Sequence, residues 1–145
     1  MYVGGRTTFN MPYTGHIPKG AFINRDVIIF RGVPGDGGFL INIYNTDTDI
    51  VLQIKANFAE RYVTWNSRIN GTWAEEIRGG GFQFAADREF KMFILNNGKS
   101  ITTYVDNKML TEYIHDISGS ECNTLEIKDD VSIRDLAICR GKEVI

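Results

Sequence analysis

Between Val51 and Arg78 the sequence places polar side chains at positions where they can act together. Gln53, Lys55 and Asn57 alternate with Leu52, Ile54 and Ala56. Successive side chains of an extended chain point to opposite faces, so the three polar groups share one face. The next run sets Thr64 and Asn66 against Val63 and Trp65, and a third begins at Trp73 and carries Glu76 and Arg78. As neighbouring strands these would present amide, ammonium, carboxylate and guanidinium groups beside an indole. That chemistry suits a polyhydroxylated ring. Planar polar groups donate to and accept from its hydroxyls, and its C–H face packs on an aromatic ring. By alternation Trp65 faces a core, while Trp73 opens the run that carries Glu76 and Arg78 and is read with them as the polar face. A solvated polar face without a ligand has the same pattern, because antiparallel sheets commonly keep one wet face.

Other chemistries lack their parts. Asn45-Thr46-Asp47-Thr48-Asp49 starts like a calcium loop, but Ile50 and Ala56 stand where the glycine and the distal glutamate belong. It reads as a turn, as does Asp129-Asp130. Gly79-Gly80-Gly81 has no Gly-Lys-Ser/Thr ending and no following helix, so it is a loop rather than a phosphate cradle. His16 and His115 sit in loop-like contexts, far apart, with no triad or metal spacing. Hydrolysis of a glycoside needs two carboxylates across a cleft, and only Glu76 is well placed. The expectation is a protein without catalysis, metal or cofactor. Cys122 and Cys139 do not form a CxxC pair and read as two half-buried thiols in a reducing compartment, with a single bridge between them as the alternative.

The elements that must position these groups are strands. Short β-rich runs recur at Val27 to Phe30, Phe39 to Tyr44, Ile50 to Ile54, Tyr62 to Trp65, Phe90 to Leu95, Ile101 to Val105 and Leu125 to Ile127. Gly, Asn and Asp separate them, at Pro34 to Gly38, Thr46 to Asp49, Asn70-Gly71, Asn96 to Gly98 and Asp106-Asn107. This spacing indicates a sandwich or barrel. Phe90 to Leu95 is apolar on both faces, as a central strand of stacked sheets would be. One short helix is expected near Tyr113 to Ser118. The 145 residues suit a single domain spanning 1–145. A formal charge of −2 and no basic stripe argue against nucleic acid. No apolar run approaches membrane-spanning length, and the first ten residues lack a signal-peptide pattern. The expected compartment is the cytosol, with export by a route that uses no signal peptide as the alternative.

Trp73-Ala74-Glu75-Glu76-Ile77-Arg78, with Asn66 seven residues before it and Phe82-Gln83-Phe84 after it, resembles the Trp-x-x-Glu-x-Arg region of the galectin family. Met11-Pro12-Tyr13, Ile17-Pro18-Lys19-Gly20, Ile28 to Val33, Phe39 to Ile43, Asp49 to Leu52, Tyr104 to Asn107 and Tyr113-Ile114-His115 resemble further family segments in the same order. Where the family has His-x-Asn-x-Arg, this chain has Gln53-Ile54-Lys55-Ala56-Asn57. The resemblance implies that the family's His and Arg grip the axial hydroxyl of galactose and that the Arg pairs with the Glu. Here Lys55 offers a flexible point charge rather than a bidentate fork, Asn57 is too short to replace an Arg, and Arg78 is left to pair with Glu76 alone.

The fold expected is an all-β, antiparallel two-sheet jelly-roll sandwich with a concave and a convex face. The function expected is non-catalytic carbohydrate binding by Trp73, Glu76, Arg78, Asn66, Gln53, Lys55 and Asn57, with altered or weakened β-galactoside specificity. Lys55 points toward an acidic or sulfated sugar. Expected partners are glycans or glycoconjugates, with homodimerisation through terminal edge strands. The competing reading is an interaction or dimerisation module that keeps the fold and has lost the sugar.

Overall fold

Runs of Val, Ile, Phe and Tyr suit a pleated, half-buried surface, and they form ten strands among the residues described. A computed structural model of the chain describes residues 9–114 and 121–141. In order the strands are β1 (Tyr13–His16), β2 (Val27–Tyr44), β3 (Ile50–Asn57), β4 (Tyr62–Ile69), β5 (Thr72–Trp73), β6 (Ile77–Arg78), β7 (Phe90–Asn96), β8 (Ser100–Val105), β9 (Lys108–Ile114) and β10 (Thr124–Cys139), with one short 3-10 turn at Pro18–Gly20. Every pairing is antiparallel.

Two strands are long enough to serve both layers of a sandwich. Residues 39–44 of β2 pair with β3 and with residues 124–129 of β10. Residues 27–32 of β2 pair with β7 instead, and residues 131–139 of β10 accompany them. The front layer therefore runs β1, β10, β2, β3, β4, then β5 and β6. The back layer runs β10, β2, β7, β8, β9. β7 is central, as its two apolar faces required.

The sequence reading expected turns at Pro34 to Gly38 and at Asp129-Asp130. Both stretches lie inside strands, where they make the bend from one layer into the other. Gly38 has φ +82°, and a Cβ there would stand 2.7 Å from the Ala56 carbonyl oxygen. Opposite it, Asp129 has φ +76° and the ladder slips between Asp129 and Val131. Asp130 closes the bend by accepting a hydrogen bond from the Gly37 amide at 2.9 Å. Residues with small or self-bonding side chains serve bulges as readily as turns. The expected helix is corrected at its first two residues only. Tyr113 and Ile114 end β9, and residues 115–118 lie outside those described.

The core fills the space between the layers. Phe30 of the back half of β2 meets Phe39 of its front half edge-on at 6.3 Å, and Phe39 stacks on Phe90 at 5.5 Å. Trp65 of β4 is fully buried, and its Nε1–H donates to Thr103 Oγ1 of β8 at 3.0 Å. Gly79 allows this, because a Cβ at that position would meet the indole at 2.4 Å.

Candidate functional site

Alternation along β3 and β4 sends Leu52, Ile54, Val63 and Trp65 into the core. Gln53, Lys55, Thr64 and Asn66 are left on the outer side of the front layer. The register arranges them in rows across the strands. One row reads Thr14, Glu126, Asn42, Gln53, Asn66, and the next reads Lys128, Leu40, Lys55, Thr64, Arg78. A third ends Tyr44, Ile50, Arg68, Trp73.

Trp73 and Arg78 are five residues apart, so an uninterrupted strand would put them on opposite faces. The strand is broken instead. Trp73 pairs with Arg68 and Arg78 with Thr64, a one-residue offset between β5 and β6. Residues 74–76 lie outside the ladder and absorb it, although the Ala74 amide still donates to the Ser67 carbonyl at 2.9 Å. Trp73 and Arg78 thus share the face of Arg68 and Thr64. Continued inward, the β6 register brings residue 76 opposite Asn66. Trp73 is 45% exposed, and the Arg68 guanidinium lies 6.0 Å from its ring centre.

Arg78 does not pair with Glu76 as the sequence reading expected. Its guanidinium carbon sits 3.8 Å above the Tyr62 ring, and no carboxylate pairs with it among the described residues. Tyr62 and Thr64 occupy alternate positions of β4, so the aromatic ring lies on Arg78's own face and competes for it.

The first row is internally wired. Gln53 Nε2–H donates to Asn42 Oδ1 at 2.9 Å, and Asn42 Nδ2–H donates to Glu126 Oε1 at 2.9 Å. The Tyr44 hydroxyl donates to the same oxygen at 2.8 Å. Partial burial would raise the Glu126 carboxyl, but these two bonds and the nearby Lys128 charge hold it below its usual value. Burial, then the bond to Glu126, pushes the Tyr44 phenol up to about 12. Asn66 Oδ1 accepts from the Ser67 amide at 2.8 Å, and Asn57 Oδ1 accepts from the Glu60 amide at 3.0 Å, securing the β3–β4 turn. Asn57 therefore stands at the margin of the rows, next to Tyr62.

Of the residues expected to act together, Gln53, Lys55, Asn66, Trp73 and Arg78 share one face, with Glu76 at its edge. Asn42, Tyr44, Tyr62, Thr64, Arg68 and Glu126 were not among them. Asn42 interrupts the apolar run from Phe39 to Ile43 and Glu126 that from Leu125 to Ile127. Each is a polar residue at an alternate position, the sole signal available. His16 ends β1 rather than lying in a loop and is exposed. Among the described residues no group of three or more His, Cys, Asp or Glu is placed to hold a metal ion, and no helix is long and apolar enough to cross a membrane. Cys122 is buried, Cys139 is exposed, and both are free thiols.

Residues 12–138 match the family model for galactoside-binding lectins. Human galectin-4 is 31% identical over 135 residues, which covers 89% of this chain and 42% of that protein. Bovine galectin-4 is 27% identical over 135 residues, covering 89% and 41%. The chain thus spans about two fifths of the length of these curated relatives. Among solved structures, Caenorhabditis elegans galectin LEC-6 superposes with a TM-score of 0.85 at 23% identity, over 93% of this chain and 95% of that one. A substituted form of human galectin-16 superposes with a TM-score of 0.83 at 19% identity, over 94% and 100%. At such identities the superpositions speak to fold alone, and that fold is the jelly-roll sandwich.

Proposed function

The chain belongs to the galactoside-binding lectin family, and on that premise we propose that the outer face of its front layer binds glycans with a specificity moved away from ordinary β-galactosides. As in its family, the activity is recognition without catalysis. Trp73 carries the reading. Its indole is 45% exposed, is backed by Arg68, and shares a face with Gln53, Lys55, Asn66 and Arg78. A sugar ring laid on it brings its hydroxyls over Asn66, Glu76 and Arg78.

Specificity changes at β3. Gln53, Lys55 and Asn57 stand where the family's His-x-Asn-x-Arg grips an axial hydroxyl. Gln53 has spent an amide hydrogen on Asn42, and Asn57 has spent its carbonyl oxygen on a turn. A site whose hydrogen-bonding groups no longer match a hydroxyl discriminates strongly against that sugar. Lactose therefore binds weakly or not at all.

The chain has two tryptophans, and Trp65 is fully buried. A glycan-induced change in indole emission accordingly reports on Trp73. The test is a glycan array followed by calorimetric titration of the hits, with Trp73→Ala, which lacks the reporting indole, beside the parent. Loss of binding by at least roughly tenfold, with an unchanged melting midpoint, is expected. A parent that binds no galactoside, glucoside, chitin-like or sulfated glycan would leave the interaction-module reading in its place. Binding that survives Trp73→Ala would move the site elsewhere.

A further inference from the structure

The second row of the front face combines three features that its wired neighbour lacks. Lys55, Thr64 and Arg78 are successive partners across β3, β4 and β6. Strands lie about 4.8 Å apart, so two long cationic side chains flank one hydroxyl at roughly 10 Å between their Cα atoms. Neither cation pairs with a carboxylate among the described residues. Lys55 is exposed, and it borders a cleft whose other walls include Asp36 and Asp129 without pairing with either. Arg78 rests the flat of its guanidinium on Tyr62, which leaves the in-plane N–H groups unspent.

Thr64 supplies the third observation. It is only 4% exposed, and its hydroxyl makes no hydrogen bond to any described residue. Alternation against Val63 and Trp65 directs it to the outer face, between the two cations. Buried hydroxyls are ordinarily satisfied, and an acceptor oxygen arriving from the groove would satisfy this one.

We propose that Lys55, Thr64 and Arg78 form a subsite for an anionic substituent of the glycan, a sulfate ester or a carboxylate. The proposal rests on the lectin reading above. The ammonium and guanidinium hold the anion from two sides, and the Thr64 hydroxyl donates to it from below. Tyr62 acts as a positioning residue, holding Arg78 over the row. Glu126, the carboxylate of the wired row, is occupied by Asn42, Tyr44 and Lys128, so it does not neutralise the pair.

The test compares lactose, a panel of mono-sulfated lactoses, and an unsulfated chondroitin disaccharide, whose only charge is a carboxylate. Affinities are read from indole emission at low and physiological salt, for the parent and for Lys55→Met, Thr64→Val and Lys128→Met. The expected result is an anionic ligand bound about tenfold more tightly than lactose. The preference should disappear in Lys55→Met and Thr64→Val and persist in Lys128→Met. Whether the sulfated or the carboxylated probe wins identifies the source of the charge. Equal affinities for neutral and anionic sugars would overturn the subsite and leave the lectin intact. Equal loss in Lys128→Met and Lys55→Met would reduce it to diffuse attraction and overturn it too. Failure of every sugar, neutral or charged, would remove both the subsite and the lectin reading beneath it.

Discussion

Cys122 and Cys139 carry one functional group into opposite surroundings. Cys122 is fully buried, and burial pushes its thiol up to about 11, whereas Cys139 is exposed at the end of β10. The native protein at mildly alkaline pH should take one alkyl group, at Cys139, and a second only in denaturant. Two adducts on the native protein by mass spectrometry would contradict that burial. The same shift sets a pH dependence. A folded-state value raised above the unfolded one stabilises the protein fully below the unfolded value and is lost as pH rises toward the folded one. For Cys122 the window runs from 9.0 to about 11, and for Tyr44 from 10.0 to about 12. The denaturation midpoint should fall across pH 9 to 11, less steeply in Cys122→Ala. A flat profile would sink this assignment. At this scale the sequence carried residue types and faces. Trp65 inside followed from alternation, whereas Trp73 outside came from the Trp-x-x-Glu-x-Arg resemblance and the free state of the two thiols was not fixed by their count. The partner of Arg78 did not, because Glu76 and Tyr62 are both near it and only the offset at residues 74–76 decides between them.

The bend of β2 is the element on which the two-layer plan turns, and two glycines separate strain from crowding. Gly38 and Gly71 both have positive φ, +82° and +77°. A Cβ on Gly38 would meet the Ala56 carbonyl at 2.7 Å, whereas one on Gly71 would meet nothing within 4 Å. Gly71→Ala should therefore cost only the left-handed backbone penalty, about 1 kcal/mol. Gly38→Ala adds a steric clash with the backbone of β3, for about 3 kcal/mol in all. Chemical denaturation checks both, and equal costs would mean that the bend relaxes freely around the new methyl. The bend also marks where the sequence reading failed. Pro34 to Gly38 has the composition of a turn, and a turn would have ended the strand. The chain threads it as strand because β10 bulges opposite it, at a contact some 93 residues away between Gly37 and Asp130. No local pattern carries that information. The strands β2, β3, β4, β7, β8 and β10, by contrast, were legible from apolar runs, because each run had to bury a face, whereas β1 and β9 carry no such run and were not.

At the scale of the molecule, the sandwich must be closed where β10 leaves it, and a charged contact does this. Arg140, just past β10, donates to the carbonyls of Pro18 and Ala21 and to the Asp26 carboxylate. It ties the last strand to the segment that leads into β2. Asp26 is 2% exposed and also accepts hydrogen bonds from the Ile23 amide at 2.9 Å and the Gly141 amide at 3.2 Å. Removing one partner of a buried pair costs more than the pair itself contributes, because the remaining charge stays desolvated. Arg140→Met should therefore destabilise by about 3 kcal/mol, roughly 10 °C in the melting midpoint of a domain this size. Asp26→Asn on that background removes the stranded charge while keeping an oxygen for the Ile23 amide, so the double variant should recover more than half of the loss. A single-variant cost within about 0.5 kcal/mol of zero would place Arg140 among surface residues of no consequence. Without recovery, the loss would come from the Pro18 and Ala21 contacts rather than from a buried charge. The face proposed to bind glycans is built from β3 to β6 and includes none of these contacts, so glycan affinity measured well below the melting midpoint should stay unchanged in both variants. A parallel loss of affinity would mean that closure of the sandwich and the shape of the front layer are coupled.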